Sequence, residues 1–298
     1  MAWAAAVAHL GLASVGLVRE VGGVGQTGGG ETLTVLSLNI GKVPQGGPSR
    51  LGDLLTEVAP DVVGFQEAVL RIEPVSEAPD GMVVAAEPSV QPVLSNRAYT
   101  TALPETPRRE ALREPVFART PVVSLRHALL SEDVEAGVFS RAEVEWDGRR
   151  IAVYSLHLRS FGPARPWVAP DRFDVGRWLR SLDSLRDDMV WRAQEAARFR
   201  MILDAERLPY LVLGDFNSTP HQWAYHHIAA GHADVLAKVG PPFARTFPDS
   251  RPLVRIDGVL ASRHWRVVSA RIGPEGLSDH RAVIAEVALT PGAAGDRP

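Results

Sequence analysis

The sequence of 298 residues has no cysteine, which excludes disulfide stapling and any cysteine-ligated zinc site. Lysine is nearly missing as well. Lys42 and Lys238 are the only two, so almost all positive charge is carried by arginine, whose forked donors suit phosphate. Neither sign of charge dominates: the net charge of −3 leaves no global basic field, which argues against a non-specific nucleic-acid binder. There is no H-E-x-x-H motif, so a zinc hydrolase built on the scattered histidines has no support. No internal repeat recurs at a fixed period. What remains is an ordinary globular composition, 45% hydrophobic and 22% charged, long enough for one large domain or two small ones.

The opening run, MAWAAAVAHLGLASVGLV, is almost wholly apolar. It reads as a signal peptide, a short membrane span or a packed helix; it has no basic residues ahead of it and no clean cleavage site behind it. This tilts localisation toward a membrane-associated or exported protein over a cytoplasmic one. The Gly-rich stretch up to residue 31 reads as a linker, residues 32–290 as the folded domain, and 291–298 as a disordered tail.

Strand and helix patterns alternate through that domain. TLTVLSLNI and DVVGFQEA are β-rich, and Leu51, Leu54, Leu55 and Val58 recur at helical spacing between them. Residues 70–132, rich in proline, are expected to hold short strands and long loops. A hairpin is predicted around Asp147-Gly148. The long segment ending at Arg207 predicts an amphipathic helix with Trp178, Leu182, Leu185, Met189, Ala193 and Ala196 along its apolar stripe. YLVLGDF, VRIDGVLAS, WRVVSARI and RAVIAEVAL complete the strands, with a short helix at HQWAYHHIAAG.

Polar residues recur where these apolar strands are expected to finish: Asn39, Glu67, His157, Asp215 with Asn217, Asp257, and Asp279 with His280. Gly, Asp and Asn in LVLGDFNSTP also fit a plain turn, Glu67 fits a helix cap, and His157 fits a core histidine. Six such occurrences, each attached to a Val/Leu/Ile run, point instead to side chains converging beyond the ends of a sheet. Four carboxylates brought together repel one another unless a cation or protons neutralise them, and an oxygen-rich, thiol-free set favours Mg2+ or Mn2+. Arg159 and Arg255, each two residues from one of these positions, are candidates to reach a phosphate. His226 and His227 read as structural and His221 as surface polar.

Taken in order, LSLNI, DVVGFQEA, SLHLRS, GDFNSTP, RIDGVLAS and SDHRAV resemble the motifs of the endonuclease/exonuclease/phosphatase superfamily, from Leu36 to Val283. The resemblance implies an α/β fold, a four-layered sandwich of two mixed β-sheets flanked by helices. It implies a divalent-metal-dependent phosphoester hydrolase, more a diesterase than not, with a nuclease as the alternative and a catalytically silent binding module as a distant third. Its substrates would be phospholipid, inositol phosphate or nucleic acid; the apolar N-terminus adds an expectation of membrane proximity, and no obligate protein partner and a monomeric state are expected.

By position, the resemblance makes Glu67 the principal metal ligand, helped by Asn39 and Asp279. His280, held by Asp257, activates or orients the attacking water. Asp215 aligns it, Asn217 donates to a phosphoryl oxygen, and His157 contacts the phosphate or assists the leaving oxygen. Three places depart from the pattern. Gly41 stands where some relatives carry a further acid, Arg97 is only a substitute for an arginine usual nearby, and the acid that often steadies the histidine at 157 is not identifiable.

Overall fold

A computed structural model describes residues 31–74, 82–86, 99–102, 113–133, 136–160 and 175–291, with only the backbone for 71–74, 82–86 and 175–184. The apolar N-terminal segment, Arg97 and the tail beyond residue 291 therefore lie outside the described residues. Among those described, no helix is long and apolar enough to cross a membrane.

Two mixed sheets are built from the runs that the sequence pattern marks. The first has strand order β12-β13-β1-β2-β5, formed by β1 (Thr32–Asn39), β2 (Val62–Gln66), β5 (Val116–Ala118), β12 (Trp265–Ile272) and β13 (Val283–Leu289). The second has order β10-β11-β9-β8-β7-β6, formed by β6 (Val122–Leu129), β7 (Val138–Trp146), β8 (Arg149–His157), β9 (Tyr210–Asp215), β10 (Ala233–Asp234) and β11 (Asp257–Ala261). A separate hairpin pairs β3 (Leu70–Pro74) with β4 (Met82–Ala86). The β7–β8 hairpin turns at Asp147 and Gly148, both with positive φ (49° and 65°), as a two-residue turn matched to strand twist requires.

The main core lies between the sheets. Val35, Val63, Phe65 and Val116 of the first sheet share a buried cluster with Val153, Leu211, Leu213 and Val259 of the second. The same cluster takes in Leu51, Leu54 and Leu55 of helix α1 (Gly47–Val58). Beyond the second sheet, Tyr154, Leu156, Val212 and Leu260 pack with Phe199 and Leu203 of helix α2 (Val175–Ala205) and Tyr225 and Ile228 of helix α3 (Trp223–Ala229). A short helix α4 (Val235–Val239) is capped by the Asp234 carboxylate, which accepts from Ala237 N. Two sheets face to face with helices outside make the four-layered α/β sandwich.

The face of α2 differs from the expected stripe. Met189 is 48% exposed, and the buried positions are Asp188, Arg192, Glu195, Ala196, Phe199 and Leu203. The spacing is still helical, but its N-terminal half is charged, which a search for apolar residues passes over. Trp178 and Leu182 lie among residues whose side chains are not described.

Just past the end of α2, Glu206 closes a half-buried triad. Its carboxylate accepts from Arg141 Nε (2.7 Å), Tyr154 OH (2.7 Å) and Leu208 N (3.0 Å). Burial alone would raise the Glu206 pKa, but the guanidinium and these donors outweigh it and bring it down to about 2. A depressed folded-state pKa stabilises above the ordinary carboxylate range, and that contribution disappears as pH falls toward 2. Glu206→Gln should therefore cost about 2 kcal/mol at pH 7. In chemical denaturation, the gap from the parent should narrow as pH drops from about 4.5 toward 2.

Candidate active site

Each sheet contains one parallel strand pair, and these two pairs position most of the candidate residues. β1 runs parallel to β2, in register Asn39↔Gln66, and β8 runs parallel to β9, in register His157↔Asp215. Parallel neighbours end at the same edge, so Asn39, Glu67, His157 and Asp215 leave their strands together. Asp257 arrives differently. It opens β11 rather than closing a strand, and antiparallel pairing sets it opposite Asp215. Asp279 and His280 likewise precede β13, whose Val283 pairs with Ser37 near the end of β1. The expectation that every candidate sits where a strand finishes is thus corrected for these three, because an antiparallel neighbour contributes its start.

Local backbone directs the side chains. Glu67 has φ 56° and Asn217 φ 44°, the left-handed region that non-glycine residues seldom adopt. Asn217 is held there by its own backbone N–H, which donates to Asp215 Oδ1 (2.8 Å), and its side chain donates to Leu158 O (2.9 Å). Beneath the site a polar bridge links the sheets: Gln66 Nε2 donates to Ser155 Oγ (3.0 Å), which donates to Phe65 O (2.8 Å).

Asp215 is the centre of the cluster. Its Oδ2 accepts from Asn39 Nδ2 (3.0 Å) and lies 3.8 Å from both His157 Nε2 and His280 Nε2. Asn39 Nδ2 also donates to Glu67 Oε1 (3.0 Å), which is 3.7 Å from His157 Nε2. Across the site, His280 Nδ1 is 3.1 Å from both Asp257 oxygens. The Phe247 ring packs on the imidazole at 4.6 Å between centroids, and Thr246 Oγ1 accepts from Asp257 N (3.2 Å). Exposure is graded: the Glu67 side chain is 44% exposed and that of Asp215 2%. Solvent therefore meets Glu67 first.

Crowded carboxylates set the electrostatics. Burial lowers the His280 pKa, but Asp257 and Asp215 outweigh it and push it up to about 10. Burial likewise pulls His157 down, while Glu114, Asp215 and Glu67 push it up to about 9. Asp257 is itself pushed up by burial and by Asp215, against the pull of His280. Two imidazolium ions thus offset the acids when no cation is bound.

Glu114 is the residue that sequence reasoning missed. It sits just before β5, 1% exposed, with Oε1 3.7 Å from His157 Nδ1. Nothing near it in sequence distinguishes it; only the pairing of β5 with β2 brings it to the site. Arg159 and Arg255, in contrast, are not brought into the cluster. Arg159 pairs with Asp133 (3.0 Å) and lies over the Trp191 ring, and Arg255 pairs with Asp234 (2.6 Å) against Tyr225. Both guanidiniums are engaged by carboxylates that are not among the clustered residues, where the sequence expectation has them free to reach a phosphate. His226 and His227 lie on α3, where His227 stacks on Trp223, and His221 is exposed.

The residues fit a hard cation. Glu67 Oε2 faces the space over Gly41, where an added Cβ would lie 2.0 Å from it, so the missing side chain keeps that carboxylate in place. Asn39 adjoins it. Asp279 is on the neighbouring loop, with Oδ2 4.0 Å from Lys42 Nζ and its backbone N donating to Lys42 O (3.1 Å). Asp215, Asp257 and His280 also offer ligand atoms within 4.8 Å of one another, but His280 Nδ1 is taken by Asp257. His157 Nε2, buried and without a hydrogen-bond partner, faces the gap between Glu67 and Asp215. Oxygen donors without thiolates suit Mg2+ or Mn2+.

The sequence profile of the endonuclease/exonuclease/phosphatase family matches residues 36–280. The chain belongs to that family. No curated protein sequence matches it. Solved structures share the fold at low identity. A family protein from Bacteroides thetaiotaomicron is 16% identical with a TM-score of 0.61, covering 87% of this chain and 98% of that one. A mannosyl-6-phosphatase from the same organism is 17% identical (TM-score 0.58; 86% and 100% covered). A humanized D. rerio TDP2 is 14% identical (TM-score 0.60; 87% and 99% covered).

The Asp257–His280 contact is open to direct measurement. In metal-free protein, Asp257→Asn should lower the His280 pKa by at least one unit from about 10, followed by imidazole NMR titration. An unchanged titration would show that Asp257 does not charge-stabilise this histidine.

Proposed function

We propose that the protein is a divalent-metal-dependent phosphoester hydrolase that directs a water in line at phosphorus. The observation that carries this reading is the convergence of His157 Nε2 and His280 Nε2, each 3.8 Å from Asp215 Oδ2, with Glu67 across the gap. Phosphoryl transfer needs an aligned nucleophile, neutral or positive donors at the non-bridging oxygens, and a proton for the leaving oxygen. The family's own name joins nucleases to phosphatases, and a structural relative is a mannosyl-6-phosphatase; both support an ester of phosphate as the substrate. Phosphoesters of the phospholipid, inositol phosphate or nucleic-acid classes are the substrates for which this set is suited, a diester more than a monoester.

A divalent cation held by Glu67, with Asn39 and Asp279, would supply positive charge to the phosphoryl oxygens and favour the form of His280 that can accept a proton, while Glu114 and Asp215 keep His157 protonated. Asp257 holds the proton on His280 Nδ1, which leaves Nε2 to accept one from the attacking water. The Asp215 carboxylate, between the two imidazoles, aligns that water. As the water oxygen bonds to phosphorus, the bond to the leaving oxygen breaks, and His157 Nε2 supplies the proton that oxygen needs. Glu114 behind Nδ1 orients that ring. Asn217 donates through its amide without adding negative charge beside the phosphate.

Hydrolysis of bis-p-nitrophenyl phosphate should require added Mg2+ or Mn2+ and stop on chelation. Glu67→Gln should lower kcat by about two orders of magnitude or more, and so should His280→Ala while metal binding is kept. Turnover without metal, or full activity in Glu67→Gln, would sink this mechanism. Gly41→Ala offers a gentler test, since its Cβ displaces only the end of a flexible side chain. Metal affinity by calorimetry should fall about tenfold, with thermal stability nearly unchanged.

A further inference from the structure

The two residues that follow His157 have every backbone polar group engaged. Leu158 N donates to Asp215 O (3.1 Å), and Leu158 O accepts from Asn217 Nδ2 (2.9 Å). Arg159 N donates to Glu195 Oε2 (2.9 Å), and Arg159 O accepts from Arg192 Nη1 (3.3 Å). This dipeptide therefore has one side on the reaction centre and the other on helix α2.

Glu195 holds a second strand at the same point. Its Oε1 accepts from Gly137 N (2.7 Å), just ahead of Val138, which pairs with His157. Gly137 must lack a side chain for this, because an added Cβ would lie 2.6 Å from Glu195 Oε2 and 3.0 Å from His157 O. Glu195 and Arg192 are each 1% exposed. Burying ions on a helix face costs desolvation that apolar side chains would avoid, so packing alone does not account for them.

We infer that Glu195 and Arg192 are positioning residues: through the Leu158–Arg159 backbone they fix where His157 and Asn217 stand relative to Asp215. A glutamate is needed because it accepts at both oxygens, one for each backbone N–H. Glutamine accepts at only one and leaves the other N–H without an acceptor. The inference rests on the proposed hydrolysis for its kinetic consequence and on geometry alone for its structural one.

The test is Glu195→Gln beside Glu206→Gln, a half-buried carboxylate just past the C-terminal end of the same helix, at a temperature where both are fully folded. Glu195→Gln is expected to lower kcat on bis-p-nitrophenyl phosphate about tenfold to a hundredfold with KM changed less than about twofold. It should also shift the His157 ring and Asn217 side-chain amide resonances in metal-free protein. Glu206→Gln should lower stability and leave both readouts in place. Equal kcat losses in the two variants, or unmoved resonances in Glu195→Gln, would overturn the assignment. Should Glu195→Gln fail to fold, Arg192→Lys, which alters the other side chain bonded to the Leu158–Arg159 backbone, is held to the same expectations. If the parent protein hydrolyses no phosphoester, the hydrolase reading falls while the resonance shifts still decide the positioning role.

Discussion

Asp215 is a carboxylate almost wholly removed from water, with Asn39 bonded to its Oδ2, Asn217 to its Oδ1, and two imidazoles beside it. An ion in that position is tolerable only when donors and positive charges surround it. Those groups come from β1, β8, the loop after β9 and the loop before β13, so the fold must bring four chain segments to within 3.8 Å of one side chain. Much of the architecture follows from that requirement. The parallel pairing within each sheet aligns strand ends, the antiparallel neighbours add strand starts, and the sheet-to-sheet core sets the two halves at a fixed distance.

The layers beneath the site carry the same logic outward. Gln66 and Ser155 join the two sheets by hydrogen bonds immediately below the cluster, where apolar contact alone would leave their relative register soft. On the far side of the second sheet, α2 contributes charge to strand ends rather than only apolar bulk to the core. Loops are fixed in a similar way. Arg281 binds the carbonyl and carboxylate of Asp249, whose backbone N donates to Asp279 O (2.7 Å), so the segment bearing Asp279 and His280 is tied at several points. Rigid support of this kind is what lets a short set of side chains act as a preorganised site.

A groove of about 680 Å3 lined by residues such as Arg126, Leu129, Met201 and Ile202 lies over the outer face of the second sheet, away from the acids. The candidate site is marked by perturbed histidines, left-handed backbone at Glu67 and Asn217, and a buried imidazole nitrogen with no hydrogen-bond partner among the described residues.

Most strands outside residues 70–132, the Asp147-Gly148 hairpin and the convergence of Asn39, Glu67, His157, Asp215, Asp257 and His280 were legible in the sequence, because each polar residue adjoins an apolar run whose period declares its structure. Three things were not. Glu114 has no local signature, since its role depends on which strand β5 pairs with. The committed partners of Arg159 and Arg255 depend on side chains on other elements, and no spacing rule encodes them. The buried face of α2 was misread because hydrophobic periodicity cannot see a charged residue that is buried for its hydrogen bonds. Local physics, acting over a few residues, thus determined the elements and the chemistry each could offer. Tertiary contact alone decided which charges neutralise one another, because Coulombic and hydrogen-bonding partners are chosen by distance in space and not by separation along the chain.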